Sequence, residues 1–287
     1  MDFDKNEAIA LLKMVVNSNT VNPPGNEKLL ADKICDYLQG TNAVVKAISL
    51  TAQRANVVAY IKGTGTYKPI ILCGHMDTVP YGNKSIWHFP ADNLTYADGR
   101  YYGRGTSDMK SGLAASLYAF KQIAQLQQKP LGDIIFAATA DEETGGTGAK
   151  ALLDTLPLRE ADAVIIAEPT CNDLGIASKG TLWIDFKIYG KSSHGSYPER
   201  GINAIDIAVK IHKSLQKICN KYEHPLLQKP TCTLTEISGG SKINMVADFC
   251  NMKLDIRTIP TLNNELLLQQ TKLICDNMMR QHSGLKI

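Results

Sequence analysis

Long apolar runs are missing from this chain of 287 residues. None approaches the roughly 20 residues that cross a bilayer, so no membrane-spanning helix is expected. A large charge of one sign is missing too. The formal net charge is +3, which argues against an extended phosphate-binding surface and so against a nucleic-acid partner. The opening MDFDKNEAIALLKMVV has no basic leader and no small-residue cleavage site, so a signal peptide is not expected. No C-x-x-C pair occurs. The seven cysteines (Cys35, Cys73, Cys171, Cys219, Cys232, Cys250 and Cys275) are scattered and odd in number, as expected of reduced packing thiols in a cytoplasmic protein. What remains is an ordinary globular composition, 44% hydrophobic and 21% charged, of a length that suits about two domains.

Charge divides the chain near residue 177. Residues 1–177 hold 16 basic and 19 acidic side chains, while residues 178–287 hold 15 and 9. The first part alternates helix and strand. Helical spacing over 5–16 and 26–39 is split by the breaker Asn22-Pro23-Pro24-Gly25. Three short apolar runs follow, at 69–73, 133–138 and 162–167, with a helix at 109–127 between the first two. Such runs predict strands buried on both faces, hence an α/β domain with a mainly parallel sheet. In the second part, strands are expected at 180–190, 231–238 and 248–258. Helices are expected at 201–218 and 263–281, and another strand begins at Leu285-Lys286-Ile287. That βαββαβ order predicts an α+β, ferredoxin-like domain.

Each apolar run of the first part ends in a residue able to bind a metal. The run at 69–73 leads to Gly74-His75-Met76-Asp77, that at 133–138 to Asp141-Glu142-Glu143, and that at 162–167 to Glu168. Ligands of open α/β sheets bind beyond the carboxyl ends of the strands, so His75, Glu143 and Glu168 are expected to share one crevice. Asp108 joins them from the Gly-rich turn Gly103-Arg104-Gly105-Thr106-Ser107-Asp108, just before a helix. Taken singly, each has an ordinary explanation, such as a helix cap for Asp108. Taken together they concentrate negative charge that few nearby basic residues (Arg104, Lys110, Lys150) could offset. A dication is the simpler compensation. Imidazole with carboxylates suits zinc, and cobalt or manganese less specifically. The turn lacks the third glycine of a dinucleotide-binding fingerprint.

Four motifs, His75-Met76-Asp77-Thr78-Val79-Pro80, Gly103 to Gly112, Asp141-Glu142-Glu143-Thr144-Gly145 and Glu168-Pro169-Thr170, come in an order that resembles the zinc-dependent aminoacylase/carboxypeptidase family. The resemblance implies a catalytic domain over 1–177 and a smaller lid, often used for homodimerisation, over 178–287. It implies two zinc ions, for which cobalt can substitute. His75 and Glu168 would hold one metal, Glu143 the other, and Asp108 would bridge them. Asp77 would fix the imidazole of His75. Glu142 would be the general base that takes a proton from the attacking water and passes it to the leaving amine. A cis peptide would follow the bridging Asp108. In the lid, Ser192-Ser193-His194-Gly195-Ser196-Tyr197-Pro198 is similar to the family's histidine segment, so His194 would stabilise the oxyanion. Asn244 and Arg257 would contact substrate, Arg257 as a carboxylate clamp or, equally, as a partner in a lid salt bridge.

Glu at position 168 goes with deacylases in this family, which favours small N-acyl amino acids such as acetylornithine or succinyl-diaminopimelate over the substrates of a dipeptidase or carboxypeptidase. The resemblance implies one more metal-binding histidine near the carboxyl terminus. None of the six histidines (His75, His88, His194, His212, His224 and His282) stands in that context. The second metal site is therefore expected to be incomplete, and residues 1–177 to be only the first portion of a catalytic domain. Two functions follow, a metal-dependent amidohydrolase or a non-catalytic fragment that acts through lid association.

Overall fold

The computed structural model describes residues 3–153, 155–157 and 160–287. It divides into two compact units, Met1–Asp173 and Leu174–Ile287. The first begins with α1 (Lys5–Val16) and α2 (Glu27–Tyr37), then β1 (Val44–Ser49), β2 (Ala55–Ile61) and β3 (Ile70–His75). A small hairpin, β4 (Thr95–Ala97) and β5 (Arg100–Tyr102), leads to α3 (Lys110–Ala124). Then come β6 (Ile134–Thr139), α4 (Thr147–Leu152) and β7 (Ala163–Ile166). The helices start where side chains can cap them. Asp4 accepts from the amides of Asn6 and Glu7 at the start of α1.

The sheet of this unit has the order β1-β2-β6-β3-β7. The three apolar runs form its parallel part, β6-β3-β7, but the expectation of burial on both faces fails at β7, whose four residues are all exposed. The sequence pattern does not anticipate β1 and β2, which add an antiparallel margin and make the sheet mixed. Polar residues interrupt both of these strands, Lys46 in β1 and Asn56 in β2. Asn56 is buried because the fold satisfies it: its amide donates to the Gly148 carbonyl (2.8 Å) and accepts from the Ala140 amide (2.9 Å).

Alternate residues of β2 (Ala55, Val57, Ala59 and Ile61) face one core with Phe136 and Ala138 of β6. The apolar stripes of all three long helices close over it, through Leu11 and Val15, Leu30 and Ile34, and Leu113, Leu117 and Phe120. Glu7 ties the same three helices together at the surface, accepting from Lys121 Nζ (2.8 Å) and Tyr37 Oη (2.9 Å).

The second unit is an antiparallel sheet covered by two helices. Its elements are β8 (Gly180–Tyr189), α5 (Ala204–Cys219), β9 (Thr231–Gly239), β10 (Phe249–Thr258) and α6 (Asn264–Gln281). The strand order is β8-β10-β9. Lys286 bridges Tyr189 on the free edge of β8, with both main-chain hydrogen bonds made (2.8 and 3.0 Å). This places the last segment beside the first strand, the ferredoxin-like order expected from βαββαβ. Ile207, Ile211 and Leu215 of α5 meet Ile188, Met252, Leu254 and Ile256 in a core of its own. Among the described residues, no helix is long and apolar enough to cross a membrane, and all seven cysteines are free thiols.

Two outcomes test this packing. Phe136→Ala is expected to lower the unfolding free energy by about 3–5 kcal/mol in urea denaturation; a cost under about 1 kcal/mol would mean that Phe136 is not in the core. Lys121 and Tyr37 hold the Glu7 carboxyl below its ordinary value against the opposing effect of burial. A lowered carboxyl stabilises the fold above its unfolded-state value and loses that contribution as pH falls. The stability difference between wild type and Glu7→Gln should therefore be full at neutral pH and shrink below about pH 4.

Candidate metal centre

Three parallel strands deliver the candidate residues. Thr139 of β6 is level with His75 of β3, and Ile166 of β7 with Cys73, so all three chains leave the sheet at the same end. His75 ends β3, Glu142 and Glu143 follow in the turn after β6, and Glu168 lies just past β7. Asp108 arrives separately, on the turn that opens α3. Two glycines allow it in. A Cβ on Gly74 would come within 2.9 Å of the Met109 methyl, and one on Gly112 would run into the Ala167 carbonyl. Their absence lets Met109 lie on β3 and lets the first turn of α3 lie against the segment that leads to Glu168. The Asp108–Met109 peptide is cis, as the resemblance implies.

His75 is buried, 2% exposed, whereas Asp108 and Glu142 are exposed and Glu143 and Glu168 half-buried. The ring nitrogen Nε2 of His75 lies 3.1 Å from Asp108 Oδ1, 3.8 Å from Glu168 Oε1 and 3.9 Å from Glu142 Oε2. Two donor groups therefore share one imidazole, His75–Asp108–Glu168 and His75–Glu142–Glu143, each with its ligand atoms within 4.8 Å of one another. On the other side of the ring, Nδ1 sits 2.9 Å from the Asp77 carbonyl oxygen and 3.6 Å from the Asp77 carboxylate. The closer hold on the imidazole is thus the main chain of Asp77. Its carboxylate is turned to the amides of Glu142 and Glu143, which donate to it at 3.1 Å each.

Charge in this group is strongly unbalanced. Burial opposes a proton on His75, yet Asp77, Glu142 and Glu168 outweigh it and push the imidazole up to about 9. Burial and the neighbouring Asp108 and Glu142 push Glu168 up to about 7, and the same causes raise Glu143. Among the described residues, Arg54 and Lys110 do not relieve the crowding. The Arg54 guanidinium is held by Glu27 (2.6 Å) and Asp141 (2.9 Å). Lys110 is buried on the Ser18 carbonyl (2.7 Å), and burial lowers it to about 7. One imidazole and four carboxylates, short of positive charge and open on one side, fit a divalent cation bound through nitrogen and oxygen.

The remaining predicted residues lie in the second unit. His194 pairs with Met245 as an isolated bridge, and the Gly195 amide donates to the Asn244 carbonyl (2.8 Å), so the His194 and Asn244 segments run side by side. The Ser196 amide donates to His194 Nδ1 (3.2 Å), which leaves Nε2 to carry the proton of the neutral ring. Arg257 donates through Nε and Nη2, one edge of its guanidinium, to the two carboxylate oxygens of Asp255 (2.8 and 2.9 Å), and through Nη1 to Thr181 Oγ1 (3.0 Å), the salt-bridge arrangement.

Three residues around the centre carry no obvious sequence signal. Asn22 looks like part of a chain breaker, Asp141 like one more acid beside Glu142, and Arg54 like a loop cation. All three meet beneath the Glu142–Glu143 turn.

His75→Ala is expected to abolish metal-dependent stabilisation. For the wild type, Zn2+ at about 100 times its Kd should add about 2.7 kcal/mol to the folded state, read as a rise in melting temperature. A variant whose melting temperature still rose equally with metal would remove His75 from the site.

A family model described as Peptidase family M20/M25/M40 matches residues 71–266. A probable succinyl-diaminopimelate desuccinylase of Staphylococcus aureus (strain MRSA252) is 31% identical over 303 aligned positions, covering 96% of this chain and 73% of its own length. An acetylornithine deacetylase of Vibrio cholerae is 33% identical over 246, covering 83% of this chain and 63% of its own. In fold, a tripeptidase from Staphylococcus aureus matches 99% of this chain and 74% of its own, with a TM-score of 0.72 at 24% identity. With its site residues at the ends of the strands and this match across both units, the chain belongs to peptidase family M20/M25/M40, a family of hydrolases.

Proposed function

We propose that this hydrolase cleaves the amide bond of small N-acyl amino acids, in the manner of an acetylornithine deacetylase or a succinyl-diaminopimelate desuccinylase, with zinc as its metal and cobalt as a substitute. The observation that carries the reading is the single buried imidazole shared by two groups of carboxylates. The names of the curated relatives support the substrate class.

In this reading His75 and Glu168 would hold one ion and Glu143 a second, with Asp108 as a ligand that would serve both. The ions would polarise the amide carbonyl and make water acidic enough to attack near neutral pH. The protein's own groups do the rest. Glu142, on the open side of the site, takes a proton from the attacking water and passes it to the amide nitrogen as the carbon–nitrogen bond breaks. A carboxylate and a free amine are the products. Asp77 holds the ring of His75 through its carbonyl and the Glu142–Glu143 turn through its carboxylate. From the second unit, His194 is assigned the oxyanion and Asn244 a substrate contact, on the likeness of their segments to the family pattern. Arg257 belongs to that reading only if a substrate carboxylate displaces Asp255. The same likeness assigns the second unit the duties of lid and homodimer contact.

Glu142→Gln should lower kcat on N-acetylornithine or N-succinyl-diaminopimelate by about 100- to 10,000-fold while leaving the bound metal unchanged. Full activity in this variant, with metal in place, would end the assignment of Glu142 as base.

A further inference from the structure

Glu142 and Glu143 stand on a turn, outside any helix or strand. Their aim therefore depends on whatever anchors that turn. One end is tied by Asn56, which accepts from the Ala140 amide and donates to the Gly148 carbonyl. The middle is tied by the Asp77 carboxylate through the two glutamate amides. Those bonds hold the turn only if Asp77 itself is held.

Asn22 is the residue placed to do this. It is 3% exposed. Its side-chain nitrogen lies 2.9 Å from Asp77 Oδ2, 3.1 Å from Asp141 Oδ1 and 2.9 Å from Thr144 Oγ1. One amide therefore joins the carboxylate on the β3 side to the two residues that flank Glu142 and Glu143. The main chain of Asn22 is fixed as well. Its amide donates to the Thr78 carbonyl (2.8 Å), and Thr20 Oγ1 donates to the Met76 carbonyl (2.6 Å), so residues 20–22 run beside 76–78. Beneath, Arg54 locks Asp141 to buried Glu27. A neutral amide suits the junction. It donates to Asp77 and Asp141, which an acid could not do, and it brings no positive charge to compete with a metal ion.

We propose that Asn22 is a positioning residue that sets the aim of Glu142 and Glu143 by bridging Asp77 to the Asp141–Thr144 turn. The consequence for catalysis rests on the reading of Glu142 as the base; the anchoring itself does not.

The test compares wild type with Asn22→Asp, which keeps the shape and removes both donor protons. Thr144→Val is a milder second variant that cuts one arm of the bridge, and it decides the matter if Asn22→Asp does not fold. Hydrogen exchange read by mass spectrometry over residues 140–146 should speed up about tenfold while α3 keeps its protection. With metal content unchanged, kcat should fall about 100-fold and KM stay within about threefold, because misplacement of a reacting group acts on the chemical step. Unchanged exchange over 140–146 would overturn the proposal. So would an equal acceleration throughout the chain, which a general loss of stability would give. If the metal-loaded wild type hydrolyses no N-acyl amino acid, the function reading fails, and exchange alone then judges the anchoring.

Discussion

Carboxylates repel one another, and here four of them crowd one buried imidazole. Asp108, Glu142, Glu143 and Glu168 have Asp77 directly behind them. The cluster persists in the fold because its backbone is fixed by groups that do not depend on the cluster. Parallel pairing aligns the ends of β6, β3 and β7, glycine contacts bring in Asp108, and a buried carboxylate grips the amides of the turn. The electrostatic cost appears as raised carboxyl groups at Glu143 and Glu168. A cation would remove that cost, so the same repulsion would favour metal binding by this group.

This constraint explains the distribution of burial. His75 and Asp77 lie inside, where their hydrogen bonds are sheltered, while Asp108 and Glu142 face outward, where water moderates their charge. The buried residues are multiply bonded, and the carboxylates that would meet an ion and a substrate in the proposed reading are exposed or half-buried. Two of the nearby cationic side chains, Arg54 and Lys110, are themselves largely withdrawn from solvent. Arg54 is compensated by Glu27 and Asp141, and Lys110 faces the Ser18 carbonyl.

The layout of this centre was legible in the sequence wherever one residue type at a strand end carried the information. His75, Glu143 and Glu168 follow apolar runs, and those runs are the parallel strands. Asp108 was legible because glycines precede it. The second unit was legible because strand and helix periods alternate there without interruption, down to the pairing of Lys286 with Tyr189. What was hidden has a common cause. β1 and β2 carry polar residues that become tolerable only through partners distant in the chain, as Asn56 does with Ala140 and Gly148. Asn22, Arg54 and Asp141 act across 87 to 119 residues of sequence, a range at which no local pattern carries a signal. The part played by Asp77 was legible only by half: a carboxylate near His75 was expected, but its grip on the Glu142–Glu143 turn is a tertiary fact.

The hidden residues are also the ones whose chemistry is least replaceable. A metal ligand can be exchanged among imidazole and carboxylate with partial retention of binding, because the ion tolerates several donor types. The junction beneath the turn tolerates less. Asp141 accepts from Thr144, Thr147, Asn22 and Arg54 at once, and against burial the hydrogen bonds from Thr144, Thr147 and Asn22 hold its carboxyl well below the usual range. Replace its charge, and Arg54 is left with Glu27 alone; replace the donors, and a buried carboxylate is left without partners, a loss of the order of several kcal/mol. Specificity for one arrangement of Glu142 and Glu143 thus resides in the layer behind the site, where each polar group has its partners only in this fold.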